Sequence, residues 1–172
     1  MEFKGYVQVY TGSGKGKTTA ALGLLLRAVG AGMKVFLGQF LKRAEYSEHA
    51  ALKHLPGVTV MTFGGDRTVG APVTERDALL ARQGLEQLRK AVGDGRWSLV
   101  IADEIFVAAH LGLISRQDVM DLAELRKPSI ELVLTGRHAF PEILERADLV
   151  TEMKEIRHYF AAGVAARRGI ER

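Results

Sequence analysis

Apolar residues come in two spacings along this chain, and the two alternate. Short continuous runs, Tyr6–Tyr10, Met33–Phe40, Val58–Phe63, Trp97–Ala102, Ile130–Leu134 and Leu149–Met153, are bounded by Gly, Pro or charged residues, the signature of strands covered on both faces. Between them lie helix-forming stretches at Thr19–Ala31, Tyr46–Leu55, Thr74–Val92, Ile105–Leu113, Ser115–Arg126 and Pro141–Arg146. Within Thr74–Val92 the residues Leu79, Leu80, Leu85, Leu88 and Val92 trace a stripe, with Thr74 and Asp77 in capping-box register, and Ser115 is placed to cap its own helix. Thr19–Ala31 is apolar on nearly every side, which predicts a largely buried helix. The glycine-bearing stretch Gly64–Pro72 breaks the pattern and reads as a mobile loop at a strand end, and the tail Lys154–Arg172 is basic with a scattering of Gly and Ala. This alternation predicts an α/β fold, a single three-layer α/β/α domain over residues 1–172 with a mainly parallel sheet.

The junction of the first strand and first helix reads Thr11-Gly-Ser-Gly-Lys-Gly-Lys-Thr18. A strand that opens into a glycine-rich loop and re-emerges as a helix aims several backbone N–H groups and a helix N-terminus at one point, which suits a polyphosphate. The pattern G-x-x-x-x-G-K-[ST] is met at Gly16, Lys17 and Thr18, but Thr11 stands at its first position. Gly12, Gly14 and Gly16 supply the permissive backbone, and Lys15 adds a second cation. The competing reading is a glycine-rich turn with no ligand. The strand, loop, Lys-Thr and helix nevertheless occur in the order the motif demands, that of a P-loop NTPase of RecA-like type.

The fourth strand delivers Asp103-Glu104 to its C-terminal end. With a phosphate loop upstream, this is the arrangement in which acidic groups hold Mg²⁺ directly or through water. Lys42-Arg43 and Thr135-Gly-Arg-His138 end two other strands at the same edge, where open α/β sheets bind ligands. Lys42 and Arg43 read equally well as anion contacts or as a solvated pair. Arg27, alone in an apolar helix, either snorkels to water or turns toward phosphate. The five histidines show no metal-ligand spacing, and only His138 and His158, near strand ends, draw a functional reading.

Composition narrows the classes further. The absence of cysteine excludes disulfides, thiolate metal sites and cysteine nucleophiles. A net charge of +4 is too small to argue nucleic-acid binding and suits an anionic small molecule. No apolar run spans a bilayer and the first residues lack a signal-peptide pattern, so a cytoplasmic protein is expected. Taken alone, these residues specify a magnesium–nucleotide protein: an NTPase or small-molecule kinase on a RecA-like core, a nucleotide-gated binding module, or a transferase.

The loop Thr11–Ala21, the runs Gln39–Lys42 and Val100–Ile105, and above all Leu134-Thr-Gly-Arg-His138, Ala147–Met153 and Gly163–Glu171 together resemble the ATP:corrinoid adenosyltransferases of the CobA/CobO/BtuR type, including the Thr11 variant of the loop. The resemblance implies transfer of the 5′-adenosyl group of ATP to cobalt(I) of cob(I)alamin or cob(I)yrinic acid a,c-diamide, with release of triphosphate, in adenosylcobalamin biosynthesis or salvage. It also implies that the nucleotide lies in the loop in the sense opposite to that of hydrolases. Carried over, Gly12, Ser13, Gly14, Lys15, Gly16, Lys17, Thr18 and Thr19 hold the triphosphate, and Arg27 reaches the nucleotide. Thr18 and Glu104 bind Mg²⁺ or Mn²⁺ with Asp103 beside them, and Lys17 and Glu104 act in catalysis. Phe63, Arg137 and His158 face the corrinoid. A homodimer and a flavoprotein reductant are implied as partners, with neither nucleic acid nor membrane. Two features depart from the pattern: only a few residues precede the first strand, where many members carry a helical extension, and the segment Phe63–Thr68 lacks the Trp that many members pair with Phe beneath the corrin ring.

Overall fold

The computed structural model describes residues 3–43, 46–65 and 70–171. Its elements run β1 (Val7–Thr11), α1 (Lys17–Gly30), β2 (Val35–Phe40), α2 (Ser47–Leu52), β3 (Val58–Phe63), α3 (Glu75–Asp94), β4 (Leu99–Asp103), α4 (Ile105–His110), α5 (Arg116–Leu125), β5 (Glu131–Thr135), α6 (Pro141–Arg146) and β6 (Leu149–Glu152), followed by a single 3₁₀ turn, Tyr159–Ala162. The strands form one sheet in the order β3-β2-β4-β5-β1-β6, and every pairing is parallel. Each parallel step needs a crossover, which is why helices separate the strands in sequence and cover the sheet in space.

Alternation along the strands divides the core between two faces. On β4, Leu99 and Ile101 meet Ala21, Leu25 and Ala28 of α1, while Val100 and Ala102 join Leu85, Leu88 and Val92 of α3 and Val119 and Leu122 of α5. Each such Leu, Ile or Val, once fully buried, contributes about 1.5–3 kcal/mol against conformational entropy. The capping box expected at Thr74 is present, with the Asp77 amide donating to Thr74 Oγ1 at 3.2 Å. The cap at Ser115 takes the same form with Asp118.

Four expectations need correction. α1 buries only the stripe Lys17, Ala21, Leu25 and Ala28, and Leu26 is 60% exposed, because no further layer lies outside this helix. On α3 the stripe falls on Ala81, Leu85, Leu88, Ala91 and Val92 instead of Leu79, which is 50% exposed. Gly84 explains the close approach of α3 to the sheet, since a Cβ there would stand 2.5 Å from the Phe63 ring. Finally, β6 is exposed along its whole length, as expected of an outermost strand with cover on neither face. α2 is also shorter than the apolar pattern implied, ending at Leu52, and residues 66–69 of the loop expected to be mobile lie outside the described residues.

Candidate active site

The carboxyl ends of β1, β2, β4 and β5 open on one edge of the sheet, with β5 between the loop strand β1 and the carboxylate-bearing β4. Reversals of strand order at such an edge leave a crevice. Here it is a cavity of about 670 Å³ lined by the phosphate loop, Lys42, the start of α2, Glu104, Arg137, His158 and the C-terminal segment Gly169–Glu171.

Gly12 and Gly16 hold the loop open at φ 99° and 118°. At Gly12 and Gly14 glycine serves a second purpose, because a Cβ would meet the Met153 carbonyl oxygen at 2.5 and 2.7 Å. The chain leaving β6 runs against the loop, and the Gly14 amide donates to Met153 O at 2.6 Å. The Lys17 ammonium folds back onto the loop, donating to the carbonyls of Gly12 at 2.8 Å and Gly14 at 2.7 Å. Burial lowers its pKa, and the nearby Glu104 and Asp103 carboxylates oppose that shift. An entering phosphate oxygen would exchange two neutral acceptors for a charged one, a stronger hydrogen bond.

Beneath the cavity lies Asp103, with no exposed surface. Its carboxylate accepts from Thr18 Oγ1 at 2.9 Å, Thr135 Oγ1 at 2.7 Å, Gln39 Nε2 at 3.0 Å and Lys42 Nζ at 3.0 Å. Burial alone would raise the pKa of Asp103, but the Lys42 charge and the bonds from Thr135, Gln39 and Lys42 outweigh it and hold the group below its usual range. Gln39 is oriented in turn by His49. Nδ1 of His49 accepts from the Tyr46 amide at 3.2 Å, so Nε2 carries the proton and donates to Gln39 Oε1. Burial lowers the pKa of His49 and so favours this neutral form. Lys42 also pairs with Glu48 at 3.5 Å.

Glu104 differs from its neighbour. It faces the cavity, and burial together with the Asp103 charge raises its pKa. Its backbone is left-handed at φ 61°, held there by a bond from its amide to Thr135 Oγ1 at 3.0 Å. Strained backbone of this kind persists where the surroundings over-determine it. The donor set fits a hard divalent cation. The Thr18 hydrogen is spent on Asp103, which leaves its lone pairs for a metal. Glu104 is a carboxylate whose ionisation a dication would restore.

The family described as ATP:corrinoid adenosyltransferase BtuR/CobO/CobP matches residues 3–172. This chain belongs to that family. Relatives named corrinoid adenosyltransferase include those of a Sinorhizobium species, 37% identical over 98% of this chain and 80% of its own length, Pseudomonas aeruginosa, 34% identical over 98% and 84%, and Escherichia coli K12, 32% identical over 98% and 86%. Among solved structures, a KaiC-like protein of Pyrococcus horikoshii superposes with a TM-score of 0.61 at 18% identity, covering 90% of this chain and 75% of its own. That likeness shows the fold, a P-loop core of RecA-like type.

Against this adenosyltransferase frame, the residues read from the sequence separate into two groups. Gly14, Lys15, Gly16, Lys17, Thr18, Thr19, Glu104, Arg137 and His158 line the cavity, with Asp103 directly behind Thr18. Arg27 is elsewhere. Ten residues along α1 from Lys17, about 15 Å at helical rise, it lines a separate, mostly apolar hollow with Met33, Leu99 and Glu131 at the opposite edge of the sheet. Phe63 is a core side chain, 5% exposed and 5.8 Å from the ring of Phe40, because its place on β3 points it under Gly84. The sequence reading missed Thr135, His49 and the segment Gly169–Glu171, where Ile170 O accepts from Lys15 Nζ at 3.4 Å. Thr135 and Gly169–Glu171 both stood inside segments that carried the family resemblance but were given no role there, and His49 lay in a stretch with no motif.

Proposed function

We propose that this protein transfers the 5′-adenosyl group of ATP to the reduced cobalt of a corrinoid. The cobalt(I) lone pair attacks C5′, a cobalt–carbon bond forms, and the C5′–O bond breaks with its electron pair leaving on triphosphate. The observation that carries the reading is a phosphate loop and the Glu104 carboxylate facing one cavity with Asp103 buried beneath it, within a family match that spans nearly the whole chain. No side chain need act as a base, because the nucleophile arrives without a proton to lose. The protein instead positions the nucleotide, excludes water and stabilises the departing charge. Lys17, Lys15 and the loop amides meet the triphosphate, and Arg137, on the rim of the cavity, adds a further cation.

Thr18 and Glu104 would hold Mg²⁺ or Mn²⁺, which when bound neutralises charge on the leaving group. Asp103 fixes Thr18 by accepting its hydroxyl hydrogen, and Lys42 and Gln39 keep Asp103 ionised. Arg137 and His158 would meet the acceptor, a reading supported by their position on the lining of the same cavity. We take the working assembly to be a homodimer, a reading supported by the uncovered strand β6 with Leu149 and Val150 each 44% exposed. A flavoprotein electron donor and a cytoplasmic setting suit an acceptor that must stay reduced. The deciding experiment is the phosphate product formed from ATP with chemically reduced corrinoid. Triphosphate with a new cobalt–carbon absorbance supports the reading, and orthophosphate in its place would overturn it in favour of a hydrolase.

A further inference from the structure

Just past the end of β5 a second hollow of about 270 Å³ opens, lined by His110 at the end of α4, Arg116 at the start of α5, and His138, Ala139 and Phe140. The imidazoles of His110 and His138 stack with centroids 4.0 Å apart and planes inclined by 16°. The Arg116 guanidinium lies 5.4 Å from the centre of the Phe140 ring. No acidic side chain lines the hollow, and among the described residues neither the two histidine rings nor Arg116 has a hydrogen-bond partner. His138 has φ 66°, a conformation a side chain with a β-carbon disfavours. That turn separates neighbours, sending Arg137 to the nucleotide cavity and His138 to the hollow.

We propose that this hollow is an oxyanion site, which takes a carboxylate or phosphate group on the fork of Arg116 and the ring N–H groups of His110 and His138. Arg presents paired donors that match a carboxylate or phosphate edge. Metal chelation fits the geometry poorly. In-plane lone pairs of two nearly parallel rings 4.0 Å apart cannot converge on one ion at about 2.0–2.1 Å. The hollow is faced by His110 from α4, His138 from the turn and Arg116 from α5, while α6 contributes only Pro141, and the Arg137 charge reaches His138 from the neighbouring cavity. All the charge that can develop there is positive. Burial, His110 and Arg137 lower the pKa of His138, and an anion would supply the missing counter-charge. Binding should therefore take up protons and strengthen as pH falls.

Two sources could supply the anion. One is free phosphate, and the other is an acidic side chain on the rim of the corrinoid acceptor, whose body would lie over the adjoining nucleotide cavity. The second source rests on the function proposed above. The test uses the full chain with labelled histidines, saturated with ATP and Mg²⁺ so that the phosphate loop is filled. It is titrated with inorganic phosphate and then with succinate, at about pH 6 and pH 8, on either side of the ordinary histidine value. Saturable shifts confined to His110 and His138, tighter at the lower pH and weakened about tenfold in Arg116→Gln, are the expected result. Absence of saturable shifts at either pH, or the same affinity in Arg116→Gln, would overturn the proposal. Arg116→Lys, which keeps the charge and loses the fork, should fall between the two and guards against a variant that fails to fold. Turnover then separates the sources. A KM raised in Arg116→Gln for a corrinoid with carboxylate rim groups but not for its amidated counterpart assigns the site to the acceptor, and equal KM values assign it to the free ion. Should the protein transfer no adenosyl group at all, the titration still decides the site.

Discussion

Replacing Glu104 by Gln is expected to make the unliganded protein more stable and to weaken its hold on metal-bound nucleotide. Burial and the neighbouring Asp103 raise the pKa of Glu104 above its ordinary 4.5. A group raised in the folded state stabilises fully below its unfolded value and loses that contribution as pH rises through the folded value. Near neutral pH the ionised carboxylate is thus a net cost, partly offset by Lys42, Lys17 and Arg137. Gln has no charge to bury, so its advantage should open as pH rises from below 4.5. Removing an unfavourable functional-site charge typically gains about 1 kcal/mol. Because Gln keeps the left-handed backbone, the strain at φ 61° does not enter the comparison. Glu104→Gly would release roughly 1–2 kcal/mol of strain but lose a comparable amount in unfolded-chain entropy, and so is the poorer probe. With a urea slope of about 2 kcal/mol/M, the expected rise in midpoint is about 0.5 M, measured by equilibrium unfolding without metal or nucleotide. With saturating Mg²⁺ and ATP the order should reverse, since wild type gains more from ligand linkage. A variant less stable than wild type in the unliganded assay, or one with an unchanged metal response, would refute the reasoning.

Lys17→Ala should cost about 2–4 kcal/mol of ATP binding by removing a desolvated charge from the loop, and near-wild-type affinity by calorimetry would remove Lys17 from the site. Asp103→Asn should lower stability by about 3 kcal/mol, because Lys42 loses its buried charged partner at 3.0 Å and is left with the longer pair to Glu48 at 3.5 Å and the more distant Glu104 charge. Asp103 has a lowered folded pKa, so its contribution is present above the unfolded value and fades as pH falls through the folded one; an acid-unfolding curve that is the same for variant and wild type would contradict this. Phe63→Ala should cost about 3–5 kcal/mol in unfolding free energy yet leave ATP affinity within about twofold, as suits a core ring outside the cavity. A large loss of corrinoid binding with little change in stability would instead return Phe63 to the substrate.

The sequence by itself determined whatever depends on neighbours in the chain. The phosphate loop was legible because Gly12–Thr18 and the helix it opens are contiguous, and the strands because period and length are local properties. Thr74 with Asp77 and Ser115 with Asp118 form caps whose partners are three residues apart, so their spelling suffices. Tertiary structure decided what depends on closure over long distances. Asp103 draws Thr18, Gln39, Lys42 and Thr135 from sequence separations of 32 residues or more, and its ranking above Glu104 as the partner of Thr18 follows from that meeting. Phe63 and Arg27 look equally available in one dimension. Only the bare surface of Gly84 draws Phe63 into the core, and only the length of α1 carries Arg27 to the far edge of the sheet. The tail had no period to read, because its place over the loop comes from single contacts such as Lys15 with Ile170 and not from a repeating face. Periodicity reports which side of an element is buried, whereas a site is built where several elements end, and that convergence is set by strand order and the packing between layers.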